Sequence, residues 1–89
     1  MKIYLGTTGL KATWQDNFKK TIKCHKCKKT ARIMFVGFED GTDYKEYVVG
    51  LHPNTGARKN GKFWVHDAIA VALYLCEKCF EVTAELNQA

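Results

Sequence analysis

The chain has 89 residues, 46% of them hydrophobic and 26% charged, with a formal net charge of +5. That length holds one domain, and the composition is that of a folded globule rather than a disordered segment. There is no serine, which removes the commonest oxygen nucleophile, and the longest apolar run, Ala68 to Cys76, falls well short of the roughly 20 residues of a membrane-spanning helix.

At the amino terminus, Ile3-Tyr4-Leu5 and Leu10 to Trp14 flank Gly6-Thr7-Thr8-Gly9, the pattern of a short hairpin, and residues 1–18 are expected at the periphery of a single domain covering 1–89. The first residues lack the apolar stretch of a signal peptide. The chain therefore reads as a soluble, cytoplasmic protein with no membrane partner. Thr21-Ile22-Lys23 leads into Cys24-His25-Lys26-Cys27. Beyond them, Thr30 to Phe38 is rich in β-branched and aromatic residues and is punctuated by Glu39-Asp40-Gly41. Tyr44 to Leu51 is a second β-rich run, expected to pair with the first as a hairpin.

Residues 52–62 read as a loop, because Pro53, Gly56 and Asn60-Gly61 are turn formers. A third β-rich region opens at Phe63-Trp64-Val65. Its continuation over 68–75 is open between a strand and a buried helix, since its alanines weaken the strand reading. After Cys79, the residues Phe80, Val82, Ala84 and Leu86 alternate with Glu81, Thr83 and Glu85. Period two marks a strand with one buried and one wet face. The expected fold is mostly β, an antiparallel sheet of roughly four to six strands.

The cysteines carry the chemistry. Two Cys-x-x-Cys pairs, Cys24 with Cys27 and Cys76 with Cys79, stand far apart in the sequence. Two intervening residues let the chain turn and aim both sulfurs at one centre. Two such knuckles face to face complete the tetrahedron that zinc prefers, with sulfurs about 2.3 Å from the ion. In a reducing compartment, paired cysteines read as metal ligands before disulfides. Iron in a rubredoxin-like site uses the same ligands, and a disulfide or redox dithiol is the other alternative. Four thiolates close the coordination shell, so the zinc is expected to be structural; His25, inside the first knuckle, is the alternative ligand but reads better as solvent-facing.

Each pair has a strand-like approach, Ile22-Lys23-Cys24 and Tyr74-Leu75-Cys76, and a β-rich segment after it. Over 21–38 and 68–86 the chain thus resembles the zinc ribbons, small β domains with a four-cysteine zinc at one end. Members of that class often carry a glycine soon after the second cysteine of a knuckle, where the backbone turns; Lys28 and Phe80 stand there in this chain. Ribbons serve in transcription and translation machinery, so the resemblance implies a binding module.

Charge distribution points the same way. Lys19, Lys20, Lys23, Lys26, Lys28, Lys29 and Arg32 cluster around the first knuckle, with no acid from Asn17 to Phe38. Cations stabilise a zinc tetrathiolate, but two or three suffice for that. A second cluster, Arg58, Lys59 and Lys62, precedes Phe63 and Trp64. Cations on loops beside aromatics suit phosphate contact and base stacking, although Trp64 reads first as a core residue. The function expected is a non-enzymatic zinc-binding module that binds RNA or DNA through its basic surface, with a protein–protein adaptor as the alternative. Enzyme signatures are lacking: His66-Asp67 has too few further histidines and carboxylates for a metallohydrolase, and the glycines match no phosphate-binding or dinucleotide spacing.

Overall fold

The computed structural model describes residues 1–42, 63–65 and 68–89. Among the described residues five strands form one antiparallel sheet: β1 (Lys2–Leu5), β2 (Thr21–Lys23), β3 (Thr30–Phe38), β4 (Ile69–Cys76) and β5 (Val82–Gln88). A short 3-10 helix, Gly6–Gly9, follows β1. The expected mostly β class is what the chain adopts.

β3 is central. β4 lies along it from Ala31 to Phe38, while β2 and β1 share its other edge, opposite Thr30–Arg32 and Phe35–Phe38 respectively. The hairpin expected between β3 and Tyr44–Leu51 has its second half outside the described residues, as do the 52–62 loop and His66-Asp67. β4, ambiguous in the sequence, is a strand paired on both edges. Its alanines are there for packing: Ala70 and Ala72 are fully buried under the covered face of the sheet, with Ala31 and Val36 in the same cluster. Ladder pairing on both sides overrides their helix preference.

A bulge sets which residues face that core. Register shifts between Ile33 and Phe35, so Met34 is an extra residue in β3. Before it Ala31 and Ile33 are buried; after it the phase inverts, and Val36 is buried instead. Without the bulge, a strict period of two would turn Val36 and Phe38 to the opposite face.

The first eighteen residues fold differently from expectation. β1 pairs with β3, not with Leu10–Trp14, which contains no strand. Instead residues 9–18 lie over the sheet: Phe18 is a core residue, and Leu10 and Ala12 pack against the cluster. Gly9 permits the close approach, because a Cβ there would stand 2.6 Å from Tyr4 Cβ and 2.9 Å from Val36 Cβ. Trp14 stacks on Phe38 with ring centroids 5.0 Å apart. Asn87 fastens this segment to β5 by accepting from Trp14 N–H at 3.1 Å and donating to Thr13 Oγ1 at 2.7 Å.

β5 therefore turns its polar residues toward the covered side. The alternation had suggested that Phe80, Val82 and Leu86 would be the buried set, yet all three are exposed, while Thr83 and Asn87 are half-buried. Across the sheet, Ile3 and Leu5 of β1 are exposed as well. The uncovered face of the sheet is thus apolar, built from Val82 and Leu86 opposite Leu75 and Val71.

Candidate metal centre

The two knuckles repeat one backbone design. In the first, Cys24 N–H donates to Lys29 O at 2.7 Å and Lys28 N–H to Cys24 O at 3.1 Å; in the second, Cys76 N–H donates to Glu81 O at 3.0 Å and Phe80 N–H to Cys76 O at 2.8 Å. Each turn closes through a residue in the left-handed region, Lys28 at φ 62° and Phe80 at φ 60°. These are the positions where ribbons often carry glycine, and the backbone takes the glycine conformation without one. A bulky residue there is strained, at roughly 1–2 kcal/mol.

This geometry gathers the sulfurs. All four cysteine Sγ atoms lie within 4.8 Å of one another. The cross-knuckle distances are 3.6 Å for Cys24–Cys79 and 3.5 Å for Cys27–Cys76. A tetrahedron with metal–sulfur bonds of about 2.3 Å has edges of about 3.8 Å, so the spacing fits one ion at the centre. It is far too long for a disulfide, whose sulfurs sit about 2.05 Å apart, and all four cysteines are free thiols. Cys24 and Cys76 are fully buried and belong to the core cluster with Phe18, Ile33 and Tyr74; Cys27 and Cys79 are half-buried against it. The metal end is continuous with the hydrophobic core.

Electrostatics prepare the site for a cation. The Cys27 and Lys26 N–H groups point at the Cys24 sulfur and draw its pKa down to about 6 against the opposing effect of burial. Cys76 is lowered in the same way by the N–H groups of Cys79 and Lys78. Cys79 goes the other way, up to about 12: the Glu81 N–H favours its thiolate, but burial and three neighbouring sulfurs outweigh that donor. Like charges this close do not all ionise unless a cation compensates them. The four cysteines are positioned to bind a metal ion.

His25 is not part of the cluster. It is exposed, its Nε2 stands 3.6 Å from Glu81 Oε2, and its backbone N–H donates to Thr83 Oγ1 at 3.1 Å. Glu81 also receives Lys26 Nζ at 3.2 Å, which ties the two knuckles together outside the sulfurs.

The basic residues around the first knuckle, Lys19, Lys20, Lys23, Lys26, Lys28, Lys29 and Arg32, are all exposed. Lys26 pairs with Glu81 and Arg32 with Glu77, whereas Lys19, Lys20, Lys23 and Lys29 have no ion-pair partner among the described residues. An open cleft of about 390 Å³ is lined by Thr21, Lys29, Thr30, Arg32, Glu77 and Lys78. A neighbouring one of about 490 Å³, lined by Lys19, Ile22, Lys23 and Glu85, shares Thr21 and Thr30 with it. Lys29 and Arg32 are thereby brought together with Lys78, which the sequence had not singled out, and Lys19 with Lys23 in the neighbouring cleft. Arg58, Lys59 and Lys62 lie outside the described residues. Trp64, read first as core, is instead 46% exposed, and Phe63 beside it is the buried ring.

Sequence reasoning also missed Glu39, which had been read as turn punctuation. Its side chain is fully buried and accepts the backbone N–H of Trp64 and that of Val65, the latter at 3.0 Å. It holds residues 63–65 to the end of β3. An acid in a turn carries no local signal of that role.

Compared with known protein families, with curated proteins and with solved structures, the chain matches none. Among the described residues no helix is long and apolar enough to cross a membrane.

Proposed function

We propose that the chain is a non-enzymatic zinc-binding module of the cytoplasm whose basic metal end binds nucleic acid. The observation that carries the metal half is the sulfur spacing of 3.5 and 3.6 Å across the knuckles. Zinc is the ion best matched to four thiolates in a tetrahedron; it would be held by Cys24, Cys27, Cys76 and Cys79 and would supply folding free energy rather than chemistry, since four sulfurs leave no position for water or substrate. With four thiolates and a divalent ion counted, the formal +5 falls to about +3.

The nucleic-acid half rests on the exposed cations lining the paired clefts around Thr21 and Thr30. Phosphate contacts release counterions, so the logarithm of affinity should fall linearly with that of salt, by about 0.7 to 0.9 per contact. Titration of the metal-loaded protein against mixed RNA and DNA over a range of salt tests this. Replacing Lys19, Lys23 and Lys29 with alanine should flatten the slope by roughly two to three units. Absence of binding at low salt would remove the reading and leave a protein adaptor in front. That second reading has its own support in the uncovered apolar sheet face, where Leu5 is 71% exposed.

A further inference from the structure

Phe80 is the least explained residue at the metal end. It closes the second knuckle at φ 60°, in a backbone conformation that large side chains rarely adopt. The fold gives nothing back for it: the side chain is 75% exposed and has no ring contact among the described residues. Lys28, its counterpart in the first knuckle at φ 62°, at least returns a hydrogen bond from Nζ to His25 O at 3.2 Å. Glycine would serve the turn better, so a bulky apolar ring held there in solvent points to a use outside the chain.

Its surroundings say what kind of use. Lys78, two residues earlier, lines the basic cleft with Lys29 and Arg32. Glu81, the next residue, is bound to Lys26 at 3.2 Å, which places the start of β5 beside the first knuckle. An exposed ring two residues from Lys78, which with Lys29 has no ion-pair partner among the described residues, combines a stacking platform with a phosphate track. Duplex bases already stack on one another and hide their faces, whereas single strands offer them.

We infer that Phe80 is a base-stacking residue that selects single-stranded over double-stranded nucleic acid at the basic metal end. This rests on the nucleic-acid reading above and extends it to the form of the ligand. Phe80 binds through the face of its ring, and the lysines supply affinity that carries no preference for strand state.

The test compares the metal-loaded wild type with Phe80→Gly, Phe80→Asn and Phe80→Trp, titrated with a mixed-sequence single-stranded oligonucleotide and with its duplex. Glycine and asparagine both accept the left-handed conformation, so their urea midpoints should equal or exceed that of the wild type. Both should bind the single strand about 5- to 150-fold more weakly, the range for one stacked base, with an unchanged salt slope and unchanged duplex affinity. Phe80→Trp should retain binding. Lys28→Gly, with the same backbone relief, should instead flatten the salt slope by about 0.7 to 0.9 on both ligands. If wild type binds with a salt-dependent affinity and Phe80→Gly and Phe80→Asn match it, the stacking role is overturned while the basic surface stands. If the wild type binds neither ligand at low salt, the underlying reading falls and the stacking role with it.

Discussion

Replacing Cys76 with serine should unfold the metal end and the core with it. Cys76 is fully buried at the end of β4, in one cluster with Cys24, Phe18, Ala31 and Tyr74, and its sulfur stands 3.5 Å from that of Cys27. A serine hydroxyl does not ionise at neutral pH and is a poor zinc ligand, so the shell drops to three thiolates. Structural zinc contributes about 10–16 kcal/mol in small zinc peptides, which is comparable to the roughly 5–15 kcal/mol stability of a typical domain. A loss of only about 4 kcal/mol already lowers the midpoint of a domain this size by roughly 16–32 °C. Thermal melts followed by circular dichroism, with and without a chelator, read this directly. The wild type should fall to the level of Cys76→Ser when chelator is added, and the variant should not respond to it. A variant that melts within a few degrees of the wild type, or a wild type indifferent to chelator, would refute the coupling of metal to core.

Two further outcomes are expected. Glu39→Ala should destabilise by about 2–4 kcal/mol in urea unfolding, because it strips two backbone donors, Trp64 N–H and Val65 N–H, of their buried acceptor; an unchanged midpoint would show that water replaces the carboxylate without penalty. Metal affinity should fall with acid. In the metal-free fold the lowered Cys24 pKa contributes stability above the ordinary thiol range that is lost as pH drops toward about 6, while the raised Cys79 holds its proton up to about 12 and must release it to bind. Zinc titrations in buffers of different ionisation enthalpy should therefore show more than one proton released at pH 7, with affinity dropping more than about tenfold per unit between pH 7 and 6. A pH-independent affinity would contradict this.

The cysteine cluster was legible because its signal is local, spacing alone aiming each pair of sulfurs, whereas the left-handed turns at Lys28 and Phe80 were not, because no glycine marks them. Strand identity was legible in β3 from its β-branched and aromatic residues and in β5 from period two. What the period could not convey was which face is wet. In β3 the phase inverts at Met34, and in β5 the covered side is the polar one, because Asn87 meets Thr13 and Trp14 and Thr83 meets His25. Both depend on partners far away in sequence. The same holds for Leu10–Trp14, whose place over the sheet is set by the close approach of Gly9 to Val36. Trp64, read first as core, is exposed beside a buried Phe63 for a similar reason, since buried Glu39 fixes the backbone there.

The most direct test of the central claim is elemental analysis of protein purified without added metal, joined to X-ray absorption at the zinc edge. About one zinc per chain, with four sulfur neighbours near 2.3 Å, is the expected result. An ordered fold with free thiols and no metal, or a zinc ion carrying three sulfurs and a water, would contradict it.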